Sequence, residues 1–292
     1  MFEEPVIPLP DDVFRLLRDF IHGYCGIYFD DGSKFLLERR LSRRLEQHRL
    51  KSFEEYYHFL RYDRKREEEL VILIDNLTTN ETYFFRESPQ LRAFSEEILP
   101  ELRETLADRK VLRIWSAGCS TGEEPYTIAI LLLESGDWWR GWQIEILGSD
   151  INQRVLRTAR KGVYKKNAHR ATSPGMLAKY FVADEKGDFR IIDKVKELVS
   201  FSSLNLLDPY KTSLISGMDV IFCRNVIIYF DREAKKKVIE SFHHKLRDGG
   251  YLLLGHSESL INISNAFVLR SLKNDMVYQK PVRERTEILN SR

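Results

Sequence analysis

Residues 111–125 read Val-Leu-Arg-Ile-Trp-Ser-Ala-Gly-Cys-Ser-Thr-Gly-Glu-Glu-Pro. The run Val111–Trp115 has the apolar character of a buried strand, and it enters a turn of small residues. Pro125 then falls in the first turn of a helix, where its missing N–H leaves no bond unmade. A strand, a glycine turn and a helix in this order open a doubly wound α/β sheet, with Gly118 and Gly122 letting backbone approach a ligand closely. A tight turn that needs glycine for its own geometry would read the same way, so this stretch alone leaves both possibilities standing.

Further along the chain the same alternation continues. Ile144–Gly148, Val199–Leu204, Asp219–Cys223 and Tyr251–Gly255 read as strands, with amphipathic helices at about 124–134, 152–160 and 232–246. The last helix sets Val238, Ile239, Phe242 and Leu246 on one face, with Asp231 as its cap and Asp248-Gly249-Gly250 as its stop. Such alternation predicts a mostly parallel sheet covered on both faces. Ala266–Leu272 and Met276–Lys280, joined through Lys273-Asn274-Asp275, predict a terminal antiparallel hairpin. Residues 162–198 interrupt the pattern. A short helix from Ser173-Pro174 and a pairing of Tyr180–Val182 with Phe189–Ile192 predict a small inserted β-subdomain.

Before the sheet, residues 11–76 read as helices. Phe14, Leu17, Phe20 and Ile21 recur at helical spacing, with Gly23 and Gly26 ending the segment. Ser33 is the expected cap of a second helix with Leu37, Leu41 and Leu45 on one stripe. Ser52 and Glu55 form a capping-box pattern for a third with Tyr56, Phe59 and Leu60 inward. A fourth, about 66–76, packs Leu70, Val71, Leu73 and Ile74. The expected division is a helical domain at 1–76 and a sheet domain at 77–292, with a loose polar tail after Pro281.

The chain has 292 residues, 43% hydrophobic and 31% charged, the composition of an ordinary globular protein. No apolar run approaches the roughly 18 residues of a membrane span, and the N-terminal stretch has no basic segment followed by an apolar core, so no signal peptide is expected. Cys25, Cys119 and Cys223 make an odd count without a C-x-x-C pair, which predicts reduced thiols in a cytoplasmic protein and no zinc site. The histidines are scattered, and no metal is expected. The net charge is +2, yet Lys and Arg crowd the stretch Lys34–Lys51, opposed only by Glu38 and Glu46. A 100° step places Arg39, Arg40 and Arg43 opposite the leucine stripe, with Arg44 at its flank. A charged stripe is usually a solvated face, although this one would also attract an acidic partner.

Asp150 lies just past the second strand, where a carboxylate can accept both ribose hydroxyls of an adenosine. It would equally serve as cap of the next helix. Turn and carboxylate together favour a nucleoside site. Glu123 and Glu124 occupy the helix start that a dinucleotide's pyrophosphate would need, and they would repel it. A cationic cofactor tolerates them, which points to S-adenosylmethionine, with its ammonium and sulfonium. Two further segments hold chemistry. Residues 77–87, LTTNETYFFRE, set polar groups beside three aromatics, and Arg86 could fork onto a carboxylate or be an ordinary surface arginine. Residues 223–230, CRNVIIYF, leave Asn225 and Tyr229 polar in an apolar stretch at the carboxyl end of a strand. There ligands bind, although a buried tyrosine with a backbone partner fits as well.

TTNETYFFRE (78–87), WSAGCSTGEEPYTIA (115–129), FSSLNLLD (201–208), CRNVIIYF (223–230) and GHSES (255–259), in this order, resemble the signature blocks of the CheR family. That family esterifies glutamate side chains of bacterial chemotaxis receptors. The resemblance implies an all-helical N-terminal domain joined to a class I methyltransferase sheet with an inserted β-subdomain, which agrees with the segmentation above. It further implies that Asn80, Thr82 and Arg86 reach over the bound S-adenosylmethionine, that Gly118 and Glu123 meet it from the glycine turn, and that Asp150 holds the ribose. Asn205 and Leu206 would line the adenine pocket, with Arg224, Asn225 and Tyr229 completing the site on the substrate side. The product would be S-adenosylhomocysteine.

Catalysis is expected to be an in-line displacement of the sulfonium methyl by an ionised glutamate, with Arg86 and Tyr229 orienting the reacting groups. By the same resemblance, Arg39, Arg40, Arg43 and Arg44 would dock the Glu-rich cytoplasmic helices of methyl-accepting receptors. Some members also bind a C-terminal receptor pentapeptide through a longer glycine-rich loop. Here Ala183–Asp188 is short with one glycine, which argues against pentapeptide docking. Two other readings remain. A nucleic-acid methyltransferase would use the basic helix on phosphates, but Arg-Asn-Val-Ile stands where amino-methylating enzymes carry Asn/Asp-Pro-Pro-aromatic, so no nucleic acid is expected. A non-catalytic cofactor sensor would signal through the helical domain.

Overall fold

A computed structural model of the protein describes residues 7–282. The polar tail for which a loose chain was expected lies, from residue 283 onward, outside the described residues.

Strands in chain order are β1 (Val111–Ala117), β2 (Gln143–Asp150), β3 (Val163–Tyr164), β4 (Phe181–Ala183), β5 (Phe189–Ile191), β6 (Val199–Ser203), β7 (Met218–Cys223), β8 (Leu246–Leu254), β9 (Val268–Ser271) and β10 (Met276–Gln279). Seven form one sheet in the order β6-β2-β1-β7-β8-β10-β9. Strands β6, β2, β1, β7 and β8 run parallel, while β10 pairs antiparallel with both β8 and β9. Alternate residues of the central strands feed opposite faces. Leu112, Ile114, Val220 and Phe222 enter one apolar cluster, and Trp115, Ala117, Ile221 and Cys223 the other. Burial on both faces explains why these strands read as continuous apolar runs. The chain moves outward from β1 through β2 to β6, then restarts at β7 on the other side of β1. That reversal opens a crevice at the carboxyl ends of β1 and β7.

The insert holds a separate three-stranded sheet, β3-β5-β4. Strand β3, two residues long, is too short to show a period of two and escaped the sequence reading. So did the helices Ser88–Ala93 and Leu99–Thr105, which are joined by a π-turn.

Helices α1 (Asp11–Cys25), α2 (Lys34–His48), α3 (Phe53–Tyr62) and α4 (Arg66–Leu77) form the N-terminal unit around one apolar cluster. Leu37, Leu41 and Leu45 are all buried. Two expectations are corrected. Gly23 does not end α1, which runs on to Cys25 and stops at Gly26, with φ +76°; one interior glycine costs about 1 kcal/mol, which a packed helix tolerates. Ser33 makes no capping bond, because it already lies in a 3-10 turn and its hydroxyl donates to Asp30. Ser52 does cap α3 through the N–H of Glu55.

A buried polar knot ties α2, α3 and α4 together. Glu69 accepts from Arg44 Nε at 2.8 Å, Tyr56 Oη at 2.6 Å and His48 Nε2 at 2.7 Å. Burial works to raise the Glu69 carboxyl, but these partners outweigh it and hold it below its usual range. The helical unit then docks on the sheet domain. Asp75 of α4 accepts the backbone N–H groups of Gln153 and Arg154, at the start of the helix Gln153–Lys161.

Candidate active site

A cavity of about 270 Å³ lies where the helical unit meets the carboxyl ends of β1, β2 and β7. The glycine turn makes its floor. Gly118, at φ +79°, would place a Cβ only 2.4 Å from a Val226 side-chain carbon. The close approach at Gly118 is therefore to the loop after β7, and it packs the two turns together. Ser120 N–H donates to Asp150 Oδ2 at 2.8 Å, and Asn152 N–H donates to Asp150 Oδ1 at 2.9 Å. The helix cap is Asn152, whose side chain accepts the N–H of Val155. Asp150 thus stands at the cavity wall, 8% exposed, and burial pushes its carboxyl up to about 6 against the pull of those backbone bonds.

Asn80, Thr82 and Arg86 line the cavity from the segment after α4. Arg86 Nη1 donates to the Glu81 carbonyl at 3.0 Å, and its guanidinium lies over the Tyr83 ring. Gly118, Asp150, Asn205 and Leu206 also line it, as do Arg224, Asn225 and Tyr229. The Asn205 amide is held by the Tyr24 carbonyl at 2.6 Å, and its oxygen accepts from Leu207 N–H. Tyr229 is 39% exposed at the rim rather than buried.

Glu123 departs from the expectation: it does not line the cavity. It is the first residue of the helix Glu123–Glu134 and turns away from the cavity, buried, to accept from the Thr121 hydroxyl at 2.6 Å. Burial pushes its carboxyl to about 7. The next residue, one 100° step around, faces the cavity instead. Glu124 accepts from the Ser116 hydroxyl at 2.7 Å and from Arg224 at 3.1 Å. Arg224 also differs from a simple cofactor ligand. Its side chain is 3% exposed and donates to Glu87, Glu124 and the Arg86 carbonyl, so it braces three segments at once.

The four arginines expected to dock a receptor separate into two pairs. Arg39 and Arg43 are exposed. Arg40 turns inward to line the cavity and donates to the Leu77 carbonyl at 2.6 Å, while Arg44 is taken up by Glu69. A helical wheel alone could not show this, because long side chains reach around a helix flank. Sequence reasoning also missed the wall supplied by the helical unit, namely Cys25, Tyr28, Phe29 and Leu36. Ile27 bridges to Phe230, and Tyr28 N–H donates to the Tyr229 carbonyl at 2.9 Å. Among sequence signals, only Gly26 hinted at this contact: a Cβ there would sit 2.6 Å from Leu207.

These features suit S-adenosylmethionine. The buried Asp150 carboxylate can accept two vicinal hydroxyls, and acidic Glu124 stands where a phosphate would be repelled. Asn225 Oδ1 is buried without a partner, an acceptor left for a donating ligand group. Were Asp150 to accept the ribose hydroxyls in its ionised form, the affinity would be flat from pH 7.5 to about 6 and then weaken up to tenfold per pH unit below it. Isothermal titration at several pH values checks this. Glu123→Gln should leave that profile in place, since Glu123 lies off the cavity.

Sheet order, a glycine turn after β1 and a buried carboxylate at the end of β2 are those of a class I S-adenosylmethionine-dependent methyltransferase. Residues 80–276 match the family model described as CheR methyltransferase, SAM binding domain, and residues 12–78 match CheR methyltransferase, all-alpha domain. The chain belongs to the CheR methyltransferase family. It is 37% identical over 275 residues to chemotaxis protein methyltransferase 2 of Vibrio cholerae, covering 94% of this chain and 95% of the relative. It is 38% identical over 253 residues to the chemotaxis protein methyltransferase of Borreliella burgdorferi, covering 86% and 88%. Among solved structures, magnesium protoporphyrin IX methyltransferase from Synechocystis with bound SAM gives 15% identity and a TM-score of 0.34 over 65% of this chain and 81% of that one, too distant to inform the site.

Proposed function

We propose that this chain transfers a methyl group from S-adenosylmethionine to glutamate side chains on the cytoplasmic helices of methyl-accepting chemotaxis receptors. The products are glutamate methyl esters and S-adenosylhomocysteine, and the setting is the cytoplasm. Among the described residues no histidine or lysine lines the cavity to take a proton. That observation favours a nucleophile that arrives already anionic. A glutamate, with an ordinary pKa near 4.3, meets that requirement at neutral pH.

The bound cofactor supplies an electrophilic methyl on a sulfonium. The protein's own groups do the rest by holding and orienting. Asp150 would hold the ribose, and Asn205 and Leu206 would border the adenine. Thr82 and Asn80 would close over the cofactor, while Arg86 and Tyr229, both at the cavity wall, would orient the incoming carboxylate. Methyl transfer from labelled cofactor to purified receptor, followed by alkaline release as methanol, tests the reading. Alkali-stable label, or label in RNA or DNA, would overturn it in favour of an amine- or nucleic-acid-directed enzyme. Cofactor binding without any transfer would leave a sensor.

For receptor docking the reading rests on Arg39 and Arg43, the two of the four arginines that are exposed. Reversing both to Glu should lower receptor methylation by roughly ten- to a hundredfold at low salt, mainly through slower association. Cofactor affinity should stay within about twofold, since neither lies at the cavity. Among the described residues no helix is long and apolar enough to cross a membrane, and no cluster of His, Cys, Asp or Glu could hold a metal.

A further inference from the structure

The loop after β7 makes two internal backbone bonds, Tyr229 N–H to the Val226 carbonyl and Phe230 N–H to the Ile227 carbonyl, and is otherwise held from outside. Asn225 is in the left-handed region at φ +61°, a conformation that asparagine adopts more readily than most side chains though less readily than glycine. Ile227–Tyr229 then forms a single 3-10 turn. Three backbone N–H groups of this loop converge on one carboxylate from a distant part of the chain. Glu258 Oε2 accepts from Asn225 at 2.8 Å, and Oε1 accepts from Val226 at 2.9 Å and from Ile228 at 3.2 Å. A fourth bond, Gly255 N–H to Oε2 at 2.7 Å, fixes the carboxylate's own segment. Gly255 has no room for a side chain, because a Cβ would lie 2.9 Å from both Asn225 N and Glu258 Oε2. Glu258 does not line the cavity, whereas Asn225, Val226 and Tyr229 do.

We propose that Glu258 is a positioning residue for methyl transfer: its carboxylate gathers the backbone of residues 225–228 so that Asn225 and Tyr229 are presented to the substrate side of the cavity. A carboxylate is needed rather than an amide. Two oxygens with several acceptor directions can serve four converging donors, whereas glutamine offers one oxygen and turns an NH2 toward N–H groups that also donate. Aspartate keeps the chemistry but is one methylene short. The inference rests on the methyl-transfer reading and on Tyr229 acting in it.

Full-length Glu258→Gln and Glu258→Asp, with Tyr229→Phe and the double variant Tyr229→Phe/Glu258→Gln, form the test. Glu258→Gln is expected to lower kcat by roughly thirtyfold or more while cofactor Kd stays within about threefold, with Glu258→Asp intermediate. Because Glu258 would act largely through Tyr229, the double variant should be within about threefold of the slower single variant, far from the product of the two losses. The amides of Val226 and Ile228 should exchange hydrogen at least about thirtyfold faster in Glu258→Gln, while β7 keeps its protection.

Unchanged exchange, or a kcat within threefold of the parent, overturns the proposal. So does full multiplicativity with Tyr229→Phe, or an equal loss of cofactor binding and melting temperature, since these describe a structural residue only. If the parent itself fails to methylate receptors, the receptor reading falls, and the exchange and cofactor data judge the role of Glu258 separately.

Discussion

Asp150→Ala is expected to weaken S-adenosylmethionine binding by roughly a hundred- to a thousandfold, the largest effect on affinity of any single change at this site. Hydrogen bonds to a charged group contribute about 1.5–3 kcal/mol each, and two ribose hydroxyls lost together correspond to about 3–4 kcal/mol after solvent reclaims part of the loss. Stability should move far less. Alanine strands the N–H groups of Ser120 and Asn152, which donate to the carboxylate. It also removes a buried charge that burial disfavours strongly enough to push the Asp150 carboxyl to about 6. These opposing contributions are of similar size near pH 7.5, so the melting temperature should shift by only a few degrees. The sign of the pH effect follows from the raised carboxyl. Its charge destabilises the free protein as pH rises through about 6, so Asp150→Ala should compare better with the parent at pH 7.5 than at pH 5. Titration calorimetry measures the affinity and differential scanning calorimetry the stability. A Kd within fivefold of the parent would remove Asp150 from the ribose.

Most of the sheet was legible because its strands are buried on both faces and separated by helices with readable periodicity. The glycine turn, the Asp150 position and the cap at Asp231 each rest on short-range chemistry that a sequence displays directly. Side-chain direction was not legible in the same way. Glu123 and Glu124 are adjacent acids at one helix start, and only the helix phase decides that the second one faces the cavity. Arg39, Arg40, Arg43 and Arg44 form one basic run, yet Leu77 and Glu69 claim two of them through contacts far away in sequence. The wall contributed by the helical unit, and the four bonds made by Glu258, depend on elements that meet only after folding. No local pattern encodes them. Charge content alone therefore marked the whole basic run as a candidate surface, while tertiary contacts determined which of its arginines remain exposed.

Arg224→Met is expected to produce the largest loss of stability, and its pH dependence distinguishes a brace from a ligand. The Arg224 side chain is 3% exposed and pairs with Glu87 at 2.9 Å and Glu124 at 3.1 Å, while also donating to the Arg86 carbonyl at 2.7 Å. Methionine fills similar volume but takes away the guanidinium that both carboxylates share, leaving Glu87 only Arg86 Nε at 3.8 Å. Breaking a buried pair from one side costs about 3–5 kcal/mol, enough to lower the melting temperature by roughly 6–15 °C in a chain of this size. Burial works to raise the Glu87 carboxyl, yet Arg224 above all holds it below its usual range. Its stabilisation is therefore present above the unfolded pKa near 4.5 and lost as pH falls through the lower folded value. Without Arg224, burial is opposed only by the weaker pull of His256 and Arg86, so that carboxyl rises, Glu87 takes up a proton more readily on mild acidification and the strain eases. The gap in melting temperature between parent and variant should be widest at pH 7.5 and clearly narrower at pH 5. Arg224→Lys should recover little of the loss, because a point charge cannot reproduce the fork that reaches both carboxylates and a carbonyl at once. Because the same guanidinium fixes the Arg86 backbone beside the cavity, the variant should also lose methyl transfer under conditions where it remains folded. A melting temperature equal to the parent's at pH 7.5 would show that Arg224 is not the brace, and its place at the cavity wall would then have to be explained by direct contact with the cofactor.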